Sequence, residues 1–263
     1  MTMPPADPIH IHTFDELDST GLHARRELAA GRLGERPVAL VAKRQTDGRG
    51  RLGRRWESPE GGLWMTACWP IERDRYLAVV DGLGLRIGVA CRAAIQRVMV
   101  GIDCPARVLL RWPNDVVIDG RKVLGALTEI TTKGSRAWIL VGVGVNVNVD
   151  PAALPTPLQA SAGSLHTWAH GPVDPEWVRD ELLAALAAVV LREGLSESLL
   201  AEARDHLASL GEQVMVSMAD GGKVAGTLIG LDDRGMGMFE IGGKLYVPPV
   251  SSNLVFDAAQ HPD

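Results

Sequence analysis

Four arginines, Arg49, Arg51, Arg54 and Arg55, fall within a run that also holds Gly48, Gly50 and Gly53 and that closes on Trp56. Glycine lets a backbone turn through positive φ and approach a ligand closely, and arginine forks match phosphate and carboxylate oxygens two at a time. The stretch 48–56 therefore suits the wrapping of a small polyanion. A solvated basic loop has the same composition, and short Arg/Gly runs also occur in nucleic-acid-binding tails. The formal net charge of -5 over 263 residues argues against a broad basic face, and with it against non-specific binding to DNA or RNA. The expected anionic partner is small.

Three other places carry groups that could share its chemistry. Asp119-Gly120 between two apolar runs is a strong hairpin signal; a two-residue turn pairs Ile118 with Arg121 and Val117 with Lys122. Period-two alternation then turns Asp115, Val117 and Lys122 to one face, aiming a carboxylate and an ammonium into one space. A solvent-facing ion pair is the alternative, against which Trp112, Leu124 and Leu127 weigh. Ser19 and Thr20 precede a helix-like run and either cap it or offer a corner that binds an acceptor. In 137–149, Val141, Val143, Val145, Val147 and Val149 point one way and Gly142, Gly144, Asn146 and Asn148 the other. Bare backbone of that kind admits a ligand or a neighbouring element.

The elements that must hold these groups can be read in turn. The apolar run 37–42 reads as a strand buried on both faces that delivers Gln45 to the basic loop, and 63–69 reads as the strand that leaves it. The stretch 76–98 reads as one long helix despite Gly82, Gly84 and Gly88. Those glycines mimic a dinucleotide fingerprint, but the third arrives one residue late and no clean strand precedes them, so that reading is rejected. A connecting loop over 151–171 contains one short helical turn near 164–168. Asp174-Pro175-Glu176 starts a helix whose buried stripe is Leu182, Leu183, Leu186, Val189 and Val190 and which runs to Gly194. A second helix covers about 196–207. From Glu212 onward short strands alternate with turns, including Asp220-Gly221-Gly222, as in a small β-barrel or meander. The fold class is α+β, with one domain over 1–210 and a small β domain over 211–263.

Cys68, Cys91 and Cys104 are widely spaced without a C-x-x-C pair and read as reduced packing residues; His166, His170 and His206 are isolated. The start of the chain lacks the features of a secretory signal, and no apolar stretch nears the roughly 18 residues that span a bilayer. A cytoplasmic protein with no membrane partner is expected.

In order, Ser19-Thr20, Gln45, G-R-G-R-x-G-R-x-W at 48–56, R-W-P-N-D at 111–115, G-R-K-x-x-G at 120–125 and V-G-x-G-x-N at 141–146 are followed by the small β domain. This series closely resembles the biotin–protein ligases (biotin–[acetyl-CoA-carboxylase] ligases) over about residues 12–257. The resemblance implies a mixed-sheet catalytic domain flanked by helices, similar to class II synthetases, with an SH3-like C-terminal barrel. It implies that biotin and ATP give biotinyl-5′-AMP and pyrophosphate, and that biotin then passes to a lysine of the biotin carrier domain of acetyl-CoA or a related carboxylase. By the same resemblance Ser19, Thr20, Gln45, Gly48, Arg49, Lys122, Gly125 and Leu127 line the biotin pocket. Arg51, Arg54, Trp56, Asn114, Asp115 and Asn146 attend ATP, with Trp56 offering its ring to adenine. Two anions must meet in adenylation, so Arg49, Arg51 and Lys122 are the catalytic cations, and Asp115 orients the carrier amine. Mg²⁺ is expected on the substrate phosphates without a protein cage.

Two positions depart from the family's pattern: Gly21 stands where asparagine is common, and Arg111 where lysine is. The first removes an amide at the pocket mouth and the second alters reach at constant charge. Because the resemblance begins almost at once, no operator DNA binding is expected; a monomer or a homodimer is. A lipoate–protein ligase is the nearest alternative, though its R-R-x-x-G-G-G type loop is missing. A non-catalytic biotin- or nucleotide-binding module is another, disfavoured by the co-occurrence of Lys122, Arg49 and Arg51.

Overall fold

Alternating apolar residues build a mixed seven-stranded sheet whose two faces have different fates. In the computed structural model, which describes residues 8–169, 171–218, 222–248 and 254–255, its strands are β1 (His10–Leu17), β2 (Val38–Gln45), β3 (Leu63–Glu72), β4 (Val108–Arg111), β5 (Asp115–Ile118), β6 (Arg121–Lys133) and β7 (Arg136–Val145). Their order is β1-β2-β3-β7-β6-β5-β4. Only β1 and β2 run parallel, joined through helix α1 (Thr20–Ala29); every other neighbour is antiparallel. His170, Asp220 and Gly221, singled out above, and the start 1–7 lie outside the described residues.

One face is covered. Met65, Ala67, Trp69, Val116, Ile118, Leu124, Ala126, Val141, Val143 and Val145 pack there with α3 (Leu83–Gly101) and α5 (Pro175–Ala187) in the largest core. At about 1.5–3 kcal/mol per fully buried aliphatic side chain, this face dominates the stability of the sheet. The other face is covered only in part. Ala24 and Leu28 of α1 pack on Val38, Leu40, Cys68 and Leu140 at one end, and Trp64, Val149 and Leu154 close the opposite flank. Between them lie Thr66, Gly142, Gly144, Gly125 and Leu127. Burial pushes the thiols of Cys68 and Cys91 up to about 12, as suits packing residues.

The long apolar stretch is two helices, not one: α2 (Tyr76–Val80) stops before Gly82, whose φ of 67° breaks the chain direction, and α3 follows. The break is held by Arg86, 1% exposed, which donates to the carbonyls of Val79, Asp81 and Gly194. The first two are carbonyls at the end of α2 and the third lies in the segment between α5 and α6, a meeting that local periodicity does not reveal. Two of the rejected fingerprint glycines have structural uses: Gly82 makes the break, and a Cβ at Gly88 would lie 2.5 Å from the Pro113 carbonyl oxygen, so Gly88 lets α3 touch the 112–115 turn. Helix α5 is capped by Asp174, which accepts from the Glu176 N–H, and ends at Ala187, short of Gly194.

Beyond β7 come α4 (Thr156–Gln159), α5, and α6 (Glu197–Asp205), capped by Ser196. Then β8 (Gln213–Ser217), β9 (Lys223–Leu231), β10 (Gly237–Ile241), β11 (Lys244–Tyr246) and β12 (Leu254–Val255) form an antiparallel sheet in the order β11-β10-β9-β8-β12. The described strand pairs leave β11 and β12 as edges. Val214, Val216, Leu228, Leu231 and Phe239 share a second core with Leu85, Val89, Leu110, Trp112, Leu200, Ala203 and Leu207. Trp112 also donates its indole N–H to the Gly235 carbonyl at 2.8 Å, which ties the 112–115 turn to this sheet.

Candidate active site

The open stretch of the second sheet face is the floor of a cavity of about 300 Å³. Of the residues expected from sequence, Ser19, Thr20, Gln45, Arg49, Arg51, Arg54, Trp56, Asn114, Asp115, Lys122, Gly125, Leu127 and Asn146 line it, although they come from six separate segments of chain.

One end is built of neutral hydrogen-bonding groups. Ser19 caps α1, its hydroxyl accepting from the Leu22 N–H at 3.5 Å. The side-chain oxygen of Gln45 accepts from the Thr20 N–H at 2.8 Å and the Thr20 hydroxyl at 3.1 Å. With that proton committed, Thr20 Oγ1 accepts from Thr66, 2.8 Å away. The Gln45 amide donates to Ser58 Oγ at 2.8 Å, and Ser58 donates to the Trp56 carbonyl at 3.1 Å. This fixes the direction of each bond and leaves a second Gln45 N–H and the lone pairs of Thr66 to meet a ligand's acceptor and donor. Position 21 also lines this end, and a Cβ there would meet nothing closer than Ser19 Oγ at 3.7 Å, so the missing side chain leaves room.

The opposite end is charged. Asp115 and Lys122 form an ion pair with Oδ2 and Nζ 2.6 Å apart, both about three-tenths exposed, and Lys122 Nζ lies 4.9 Å from the Trp56 ring centroid. Arg51 reaches Asn114 Oδ1 at 3.4 Å; burial pushes its guanidinium down from the usual arginine range, Asp115 pulls it up and Arg54 pushes it down. It remains a cation at neutral pH. The hairpin turn is as the sequence implies, with Asp119 and Gly120 both at positive φ and with the expected pairs Val117–Lys122 and Ile118–Arg121. A register shift then inserts Val123, so that Val116 faces Leu124 and Asp115 faces Gly125. Val123 and Leu124 both enter the core, and Lys122, Gly125 and Leu127 all stay on the cavity face, which unbroken alternation would not allow.

The basic loop is a ribbon, not a loose loop. Gln45 pairs with Ser58 and Arg49 with Arg55, the Trp56 N–H donates to the Gly48 carbonyl at 2.8 Å, and a short helical turn over Arg51–Gly53 makes the tip. Two of the residues expected from sequence are engaged within the ribbon itself. Gly48 is not in the cavity lining: a Cβ there would sit 2.4 Å from the Trp56 carbonyl oxygen, so this glycine serves the crossing of the ribbon's own backbones. Arg49, although at the cavity wall, is exposed and held by Asp47 at 2.9 Å.

The glycine stripe has two uses. The indole of Trp56 lies on bare backbone, where a Cβ at Gly144 or Gly125 would come within 2.7 or 2.8 Å of it, while Gly142 faces the cavity with ordinary clearance. The amides that follow are braces. Asn146 donates to the Gly163 carbonyl at 2.9 Å while lining the cavity, and Asn148 exchanges two bonds with Val173 outside it. Asn114, 4% exposed, donates to the Ala126 carbonyl. Arg111 turns to the hairpin, donating to the Gly120 carbonyl at 2.8 Å, and is absent from the lining.

Sequence reading missed several lining residues. Thr66 was signalled only by being the polar member of an apolar strand. Arg25 and Glu129, an ion pair joining α1 to β6, and the wall made by Leu154, Leu158, Ser161 and Ala162 gave no local signal. Among the described residues no group of three or more His, Cys, Asp or Glu side chains is placed to hold a metal, and no helix is long and apolar enough to cross a membrane.

Residues 31–146 match the model of the biotin/lipoate A/B protein ligase family. The biotin–[acetyl-CoA-carboxylase] ligase of Paracoccus denitrificans is 34% identical over 188 residues, covering 65% of this chain and 68% of that protein. The bifunctional ligase/repressor BirA of Bacillus subtilis (strain 168) is 33% identical over 180 residues, but this match covers only 51% of its length; the chain thus spans about half of that relative. Among solved structures, the biotin protein ligase from Aquifex aeolicus in complex with biotin and ATP superposes with a TM-score of 0.75 at 26% identity, over 94% of this chain and 99% of that one.

Proposed function

The chain belongs to the biotin/lipoate A/B protein ligase family, and from that premise we propose that it is a biotin–protein ligase: it activates biotin with ATP and transfers it to a lysine of a carboxylase's biotin carrier domain. The observation that carries the proposal is the polarity of one cavity. A ureido ring offers one carbonyl and two N–H groups, which the neutral Ser19–Thr20–Gln45–Thr66 end can pair. A carboxylate and a triphosphate need cations, which the Arg51–Lys122 end provides. The acid therefore lies along β6 with its ring toward Leu127 and its carboxylate toward Lys122.

In the first step a carboxylate oxygen attacks the α-phosphorus, the bond to the bridging oxygen breaks, and pyrophosphate leaves. Lys122 and Arg51 offset the repulsion between the two anions and stabilise the charge that develops on the phosphorus oxygens. Lys122 exchanges Asp115 for phosphate in doing so. The face of Trp56 turned away from Gly125 and Gly144 is left for the purine, with Asn146 beside it. Arg54 and Arg49 follow the anion from the ribbon. In the second step a carrier amine attacks the acyl carbon and AMP leaves; Asp115, released from Lys122, accepts a hydrogen bond from that amine and orients it. Mg²⁺ carried by the triphosphate would neutralise part of its charge; among the described residues no carboxylate cage is placed to hold it. We assign catalysis to a domain over 1–210 with a small β domain over 211–263, acting in the cytoplasm.

The test is exchange of labelled pyrophosphate into ATP by the purified protein. Biotin-dependent exchange is expected. Exchange driven by lipoate and not by biotin would transfer the chain to the other branch of the family, and exchange with neither acid would leave a binding module.

A further inference from the structure

We propose that residues 161–163, far from the basic ribbon in sequence, are the positioning element that aims Lys122 into the cavity, an inference that rests on the ligase reading for what Lys122 does there. Strand β7 ends at Val145, opposite Leu124, so Lys122 lies beyond the end of that neighbour. The segment after α4 returns to take its place. The Lys122 N–H donates to the Ser161 carbonyl at 2.8 Å, the Gly163 N–H donates to the Lys122 carbonyl at 2.9 Å, and Ala162 thereby forms a parallel bridge with Lys122.

A lysine side chain is long and has high rotamer entropy, so its ammonium is only as well placed as its backbone. The two lateral contacts of the Lys122 ammonium, Asp115 and the Trp56 ring, are both in the cavity wall, where an arriving anion competes with them. The bridge to 161–163 is made by backbone and does not depend on which partner the ammonium holds. It is itself anchored to the strands that carry the site. The Leu165 and His166 N–H groups donate to the carbonyls of Asn146 and Val147, Asn146 donates to the Gly163 carbonyl, and the Trp168 indole donates to Asp119 in the hairpin turn at 2.8 Å. Gly163 is the pinch point: a Cβ there would lie 2.8 Å from the Trp168 ring and 3.0 Å from Arg121 Cβ. A side chain at 163 must therefore push the segment away from β6 at Lys122. Leu158, Ser161 and Ala162 also line the cavity, so the brace for the lysine is at the same time a wall against which the ligand packs.

The test is a double-mutant cycle on biotin-dependent pyrophosphate exchange with Gly163→Val, Lys122→Ala and the double variant. Gly163→Val is expected to lower kcat about tenfold or more with KM for biotin within about threefold, and the double variant is expected to be no slower than Lys122→Ala alone. Losses that multiply in the double variant would assign Gly163 a role independent of Lys122 and overturn the proposal. Should Gly163→Val not fold, Gly163→Ala enters the same cycle with an expected loss of about threefold and the same non-additivity. A second readout does not depend on activity. Acetylation by acetic anhydride, followed peptide by peptide, is expected to be about threefold faster at Lys122 in the position-163 variant than in the unaltered protein, with Lys43 and Lys133 as internal standards. Equal rates overturn the positioning role. Absence of biotin-dependent exchange in the unaltered protein counts against the ligase reading, while the acetylation rates still decide the geometry.

Discussion

Replacing Lys122 by alanine removes a cation that the fold holds between the sheet and the ribbon. Its ammonium is 2.6 Å from Asp115 and 4.9 Å from the Trp56 centroid, and it lines the charged end of the cavity. Two unit charges about 4 Å apart at an effective dielectric of about 20 interact by about 4 kcal/mol. Part of that attraction is already present when the triphosphate binds, so the share specific to the transition state is about 3 kcal/mol, a loss of about 10²-fold in kcat. The fold should survive. A partly exposed ion pair contributes less than about 1 kcal/mol, and Asp115 keeps the attraction of Arg51 and Arg111, both of which it helps hold protonated. The assay is steady-state pyrophosphate exchange at saturating biotin and ATP beside a urea melt of the same sample. A Lys122→Ala protein that exchanges within about threefold of the unaltered one would refute electrostatic catalysis from this position.

Three further outcomes are expected. Gly144→Val places a side chain within 2.7 Å of the Trp56 indole and must lift it from the floor, so KM for ATP should rise about tenfold while the biotin dissociation constant stays within about threefold; an unchanged KM for ATP would separate Trp56 from the nucleotide. Arg86→Met leaves three carbonyls at the α2–α3 break without their donor and removes a buried charge, for a net loss of about 2–4 kcal/mol in urea unfolding; a change below about 1 kcal/mol would contradict the bracing role. Asp18, bonded through both oxygens to Arg26, has its pKa lowered from 3.8 to about 2. Its contribution is therefore fully present above about 4 and lost as pH falls toward 2. Because the pair is over a third exposed, Asp18→Asn should cost less than about 1 kcal/mol at pH 7 and progressively less as pH falls from about 4 through 2, and a cost undiminished at pH 2 would show that the carboxylate charge is not responsible.

Much of the fold was legible because its signals are local. Alternating valines announced β7, Asp119-Gly120 announced the hairpin and its first two pairs, and Asp174-Pro175 announced α5. What failed had non-local causes. The break between α2 and α3 depends on a buried arginine that also reaches Gly194, and the role of Gly48 on the return of its own ribbon. Gly163 carried no signal at all, because its meaning lies in Trp168 and Arg121 meeting over it.

For the site, residue types were decided by sequence: clustered cations, hydroxyls at a helix start, and glycines on a strand limit the chemistry to handling a small anion. Their arrangement was not. The bulge at Val123 turns Lys122, Gly125 and Leu127 to one face, Trp56 is the neighbour that takes two of the glycines left open to a ligand or another element, and Thr66, Arg25, Glu129, Leu158, Ser161 and Ala162 enter from elsewhere in the chain. Period, capping and turn chemistry act between residues a few positions apart and so are written locally. Which end of the cavity is neutral and which is charged depends on groups far apart in sequence and a few ångströms apart in space, and only the packed sheet brings them to those distances.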